Sequence, residues 1–343
     1  MKINSKIFLI FNVAITYGQK VRIIDKKATQ FQIKTKSDTI DFVVFETKFD
    51  KKKPIFIYLQ GSTPMPLFLK FDDGKIDCIP TNLFDIDEIK KYYHLVLISK
   101  PGIPVVAEQK KLNKQFFYIE NPEEPEPYNF PIKYLKGDYL ENYVNRTSEV
   151  IKFLSKQNWI DNSKIVILGH SQGASVAPYV VLKNKNVTKI GLLSPNPFGR
   201  IEKNIRRARK KAECGMISWD EADKIMKNEY EFMKMLYEIK DFDKKETIPL
   251  KSWRSFSKPY INDWLKLDIP IFIAYGTADI TSDLCDVVPL YFTRAKKNLT
   301  LKRKLNLDHS FFEMKENGKI DYEKNHFNKI VKEFVIWTQN KIR

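Results

Sequence analysis

Unbroken apolar runs constrain this chain more than any other feature. IFIYL (55–59), HLVLIS (94–99), KIVIL (164–168) and the strand pattern within IPIFIAYGTAD (269–279) carry little of the polar–apolar alternation of a half-solvated strand. A strand that is apolar on both faces must be covered on both, as in a parallel sheet flanked by helices. Helical patterns separate the runs. Leu140, Tyr143, Val144, Val150, Ile151 and Leu154 form one stripe, and ASVAPYVVLK (174–183) reads as a second helix. β-like segments at Gln30–Thr35, Ile40–Thr47, Lys189–Ser194 and 299–309 complete the pattern, with further helices near Cys285–Lys296 and His326–Asn340. This order predicts a doubly wound, mostly parallel α/β sheet with short crossovers.

Two stretches interrupt the alternation. Residues 101–137 hold Pro101, Pro104, Pro122, Pro125, Pro127 and Pro131, a density that predicts an irregular loop without helix. Such a loop leaves a strand end, where pocket walls gather. Asp138, with Glu141 three residues on, reads as the capping box of the next helix. Residues 198–268 are too long for a plain connection and look helical and polar. The expected organisation is therefore a signal peptide at 1–18, a core from 19–197 and 269–343, and a helical cap at 198–268.

Composition sets the outer bounds. A chain of 343 residues that is 43% hydrophobic can build a large core. Cys78, Cys214 and Cys285 are too few and too scattered for a disulfide framework, and no Cys/His cluster suggests a metal. Lys and Arg total 59 against 42 acids, a net charge of +17. That excess favours anionic substrates or contact with an anionic membrane surface. No helix-turn-helix, RRM or zinc-finger pattern points to nucleic acid. Residues 1–18 carry Lys2 and Lys6, then a short apolar run, then Thr16 and Gly18 ahead of Gln19. This is a secretory signal pattern, so the chain is expected to be secreted or periplasmic, or cytoplasmic if the segment is retained.

The chemistry sits after KIVIL. Gly169-His170-Ser171-Gln172-Gly173 matches G-x-S-x-G between an apolar strand and a helix of small residues. A serine on so sharp a turn projects above the sheet, and the helix N-terminus favours negative charge developing there. With YGTAD (275–279) and LDHSF (307–311), the chain resembles the α/β-hydrolase superfamily, in the order nucleophile, acid, histidine. The resemblance implies a cofactor-free Ser-acid-His hydrolase. It places Ser171 as nucleophile and Asp279 as the acid at the end of its strand, with Asp283 and Asp286 in the same loop as substitutes.

Of the four histidines, His94 precedes an early strand, His170 adjoins Ser171 on the elbow and His326 starts the last helix. His309 follows a strand end, where a loop could return it to Ser171, and is the expected general base. The oxyanion hole needs two backbone donors. The Gln172 N–H is one. The other is expected from the loop after IFIYL, at Ser62 or Thr63, although Gln60 stands where many relatives have His. The expected activity is cleavage of carboxylic esters through an acyl-enzyme. A serine peptidase is the alternative with the same chemistry, and a basic, non-catalytic binding module the alternative without it.

Overall fold

The apolar runs form the middle of a nine-stranded sheet. The protein is described here by a computed structural model, which covers residues 17–295 and 298–340. The expected signal segment lies almost wholly outside the described residues; residues 17 and 18 begin the first strand. That strand, β1 (Tyr17–Ile24), leads an antiparallel meander with β2 (Ala28–Lys34) and β3 (Thr39–Val44). β4 (Lys53–Leu59) is followed by a small hairpin, β5 (Phe68–Lys70) and β6 (Ile76–Cys78), then α1 (Ile86–Lys90), β7 (His94–Ile98) and β8 (Val106–Glu108). Next come α2 (Ile132–Gly137), α3 (Leu140–Leu154), β9 (Ile160–His170), α4 (Gln172–Lys183) and β10 (Lys189–Leu193). Four helices follow: α5 (Arg200–Glu213), α6 (Trp219–Glu238), α7 (Ile248–Phe256) and α8 (Ile261–Trp264). The chain closes with β11 (Ile271–Gly276), α9 (Val288–Ala295), β12 (Leu299–Lys304), the hairpin β13 (Phe312–Met314) and β14 (Ile320–Asn325), and α10 (Phe327–Gln339).

The sheet order is β1-β2-β3-β7-β4-β9-β10-β11-β12. β3 pairs antiparallel with β7, and every pair from β7 to β12 is parallel. The period of two divides each central strand between two cores. Ile55 and Ile57 of β4 and Ile165 and Ile167 of β9 pack under α3 and α4. Phe56, Tyr58, Val166 and Leu168 face the other way, toward α1 and α10. The central strands are therefore buried on both faces, which is why their sequences lack alternation. β12 is an edge strand, and Lys302, Arg303 and Lys304 keep it unattractive to another chain.

Three local expectations are corrected. α2 does form within the proline-rich stretch, starting at Ile132 directly after Pro131, the last proline there. Proline is harmless at that boundary because its missing N–H would lack a helical partner anyway. Asp138 does not cap α3. The helix begins at Leu140 with Tyr139 at the cap position and no side-chain cap bond. The Asp138 carboxylate is instead held by Tyr143, Gln172 and Ser252. The 299–309 strand also stops early, because Asn306 turns at a φ of 57°. No helix among the described residues is long and apolar enough to cross a membrane.

Candidate active site

GHSQG folds as the turn between β9 and α4. His170 ends the strand and Gln172 begins the helix, so Ser171 makes the bend, at a φ of 55° and ψ of −117°. A positive φ costs free energy for any residue with a Cβ and persists only where the surroundings enforce it. The neighbouring glycines permit the close packing that does so. A Cβ on Gly169 would lie 2.2 Å from the Gly173 carbonyl oxygen, and a Cβ on Gly173 only 1.9 Å from that of Leu59. Strand, helix and β4 thus meet backbone to backbone, with the Ser171 hydroxyl at the N-terminus of α4.

The histidine arrives on the loop after β12. Asp308 Oδ1 accepts from the Ser310 and Phe312 N–H groups at 2.9 and 2.8 Å, which curls the loop. Gly276, at the end of β11, lets it come close: a Cβ there would sit 2.0 Å from the Leu307 carbonyl oxygen. The His309 carbonyl accepts from Ser194 Oγ at 2.8 Å and from His170 Nε2 at 3.1 Å. So held, the His309 ring has Nε2 at 2.9 Å from Ser171 Oγ and Nδ1 at 2.7 Å from Asp279 Oδ2. A carboxylate can only accept, so Nδ1 carries the proton and Nε2 is left to accept the serine hydroxyl.

Asp279 is 3% exposed and also accepts from the Thr281 N–H at 2.8 Å. Burial works to raise its carboxyl. The hydrogen bond and charge of His309 outweigh this and hold it below the usual aspartate value. The two substitute acids are engaged elsewhere: Asp283 pairs with Arg206 and Lys210, and Asp286 with Arg303 at 2.9 Å. His170 does not approach the serine as a second base. Burial pushes its imidazole down to about 4, reinforced by neighbouring His309, so the ring stays neutral and donates to the loop. His94 contacts the Lys51 carbonyl, and His326 contacts Glu313, both away from the serine.

Ser62 and Gln172 lie on the same cavity as Ser171 and His309. The Gln172 N–H is the first of α4 and has no acceptor within the helix. The loop after β4 runs beside the serine, with the Cβ position of Gly61 at 3.6 Å from Ser171 Cβ. Tyr134 Oη donates to the Ser62 carbonyl at 2.7 Å and braces that loop. The cavity measures about 690 Å³. Phe130, Leu135, Trp253 and Phe256 make part of its wall apolar; Arg200 and Lys203 make part cationic. Among the described residues no cluster of His, Cys, Asp or Glu suits a metal ion.

One network escaped sequence reasoning. Lys100, 4% exposed, donates from Nζ to Gln172 Oε1 at 2.7 Å and lies 4.4 Å over the Tyr143 ring. Gln172 Nε2 in turn donates to Asp138 at 3.1 Å. Burial pushes the Lys100 ammonium down to about 7. The network fixes the side chain of the residue that follows the serine. Its only sequence signal is the place of Lys100 just past a buried strand; no spacing ties it to Asp138 or Ser252.

No family model and no curated protein sequence matches this chain. Solved structures of similar architecture include acetyl xylan esterase 1 from Thermoanaerobacterium sp. JW/SL YS485, 12% identical over 95% of this chain and 89% of that one, with a TM-score of 0.50. The acetyl xylan esterase from Paenibacillus sp. R4 is also 12% identical, over 94% and 89%, at 0.50. The acylaminoacyl peptidase from Pyrococcus horikoshii is 13% identical over 92% of this chain but only 42% of its own length, at 0.52. Identities this low speak for architecture alone. Sheet order, strand–turn–helix elbow and these likenesses agree: this chain has the α/β-hydrolase fold.

Proposed function

We propose that the protein is a serine hydrolase that cleaves carboxylic esters. The observation that carries this reading is the unbroken line from Asp279 through His309 to Ser171, at 2.7 and 2.9 Å. Ser171 Oγ attacks the ester carbonyl while His309 Nε2 takes its proton. Buried Asp279 keeps the imidazole in the required tautomer and stabilises the imidazolium. The carbonyl oxygen becomes an oxyanion facing the N–H groups of Gln172 and Ser62. The tetrahedral intermediate collapses, His309 returns the proton to the departing alcohol, and the acyl group stays on Ser171. Water, deprotonated by His309, then attacks the acyl-enzyme and releases the acid.

The helices between β10 and β11 serve as the cap in this reading, since α5 and α7 supply cavity residues. Residues 1–18 serve as the export signal; intact mass of protein secreted by its source, with or without them, tests that. A peptidase is the second reading, favoured by Glu126, an exposed carboxylate on the cavity that could meet a substrate amine.

A fluorophosphonate probe is expected to add one adduct by intact mass, and Ser171→Ala to abolish it. Turnover of p-nitrophenyl acetate should fall by ~10⁴-fold or more in that variant. A well-folded wild type that takes no adduct would leave a non-catalytic binding module. Preference for aminoacyl p-nitroanilides over esters would move the assignment to a peptidase.

A further inference from the structure

Arg200 and Lys203 stand three residues apart in the first turn of α5, on one face of the helix. Both line the cavity that holds Ser171 and His309. Among the described residues neither has a carboxylate within ion-pair distance. Arg200 Nη1 donates to the neutral Ser252 hydroxyl at 3.0 Å, and its guanidinium lies 4.6 Å over the Phe256 ring. Lys203 is half-buried among cations. Burial, then Arg200 and Arg207, press its ammonium below the usual lysine value, against the opposing charge of Asp279. Arg206, one turn further on, is neutralised by Glu202 and Asp283.

Nearby acids offset the pair only in part: the charge of Asp279 opposes the shift at Lys203, but no carboxylate forms an ion pair with either cation. Asp138 is taken by Tyr143, Gln172 and Ser252, and Asp279 by His309. Glu126 is exposed. Two partly desolvated like charges without an ion-paired counter-charge destabilise a cavity wall unless something anionic meets them. Surface cations away from the cavity illustrate the contrast: Arg209 pairs with Glu213 and Lys227 with Asp223. Arg200 and Lys203, by contrast, share their cavity with Ser171 and His309.

We propose that Arg200 and Lys203 form an anion subsite that holds a carboxylate of the substrate, so that the cavity takes esters carrying a free acid group. The half-esters of short dicarboxylic acids are the class with that chemistry on the acyl side. Hydroxybenzoate esters carry it on the leaving group. The assignment rests on the serine-hydrolase reading above, and the experiment separates the two.

Fluorophosphonate labelling and p-nitrophenyl acetate turnover test the hydrolase reading without reference to charge. The subsite is tested by comparing kcat/KM for mono-p-nitrophenyl glutarate, 4-acetoxybenzoate and neutral p-nitrophenyl butyrate. One of the two anionic esters should exceed the neutral one by about tenfold at low salt, the worth of one charge-assisted hydrogen bond, and the ratio should shrink as salt rises. Lys203→Gln and Arg200→Gln should each cut that ratio by about tenfold, chiefly through KM. Because Arg200 also packs on Phe256, Lys203→Gln is the decisive variant. Wild-type enzyme that labels and turns over p-nitrophenyl acetate, yet shows no charge preference, overturns the subsite alone. If the wild type does not label, glutarate is titrated directly. A rise in thermal midpoint that Lys203→Gln abolishes supports the subsite, and no rise overturns it.

Discussion

Two histidines, His309 and His170, meet at one loop with opposite duties. His309 carries the reaction in the proposed mechanism, whereas His170 braces the carbonyl of His309 and stays neutral. The consequence for stability has a definite sign. His170 has a folded pKa of about 4 against an ordinary value of 6.5. The unfolded chain therefore binds a proton between those pH values that the folded protein refuses. Stability from this residue is complete above pH 6.5 and is lost as the pH falls toward 4. In urea titrations from pH 7 to 4, the wild type should lose more stability than His170→Gln, and identical slopes would remove His170 from this role. The histidine assignments could be drawn from four candidates and their places in the strand pattern. That His170 reaches under the loop, helped by Ser194, could not, because both bonds end on a backbone carbonyl more than a hundred residues away.

At the scale of elements, backbone approach decides whether the elbow forms. Gly173 has no room for even one added carbon, since the obstacle is the Leu59 carbonyl and not a flexible side chain. Gly173→Ala should cost about 3 kcal/mol or more by denaturant unfolding and reduce probe labelling with it. Gly74→Ala provides the comparison. Its position has nothing within 4 Å but a φ of 85°, so only the left-handed conformation is penalised, at about 1 kcal/mol. If the two variants lose equal stability, close packing is not what the elbow glycine supplies. The G-x-S-x-G spacing made Gly169 and Gly173 legible. Gly276, which admits the His309 loop in the same way, sits in YGTAD without any spacing rule that marks its partner, Leu307. Similarly, Asp138 and Glu141 had the spacing of a capping box, yet the buried Lys100–Gln172 pair and two hydroxyls compete for the carboxylate. A local pattern loses to tertiary partners when the latter offer several hydrogen bonds at once.

Across the whole molecule, the site draws on segments near residues 62, 134, 171, 200, 279 and 309, joined only through the sheet and its flanking helices. The α5–α6 pair packs apart from the main cores. Ala208, Ala212 and Ala222 form a small cluster separate from the two large cores, and α6 buries only Ala222 and Leu236. Amides of α6 should exchange with deuterium well before those of β9 and β11, which lie buried in the sheet. Equal protection would mean that the inserted helices belong to the same cooperative unit as the core. The division between sequence and tertiary structure follows from the range of the interactions involved. Continuous apolar runs and helical stripes are local records of burial, so the parallel sheet, its helices and the serine elbow were readable residue by residue. Short strands such as β13 and β14, the true partners of Asp138 and Lys100, and the cation pair facing the cavity depend on which distant groups come within hydrogen-bond or Coulomb range. That proximity is set by how the sheet stacks its segments, and no periodicity along the chain encodes it.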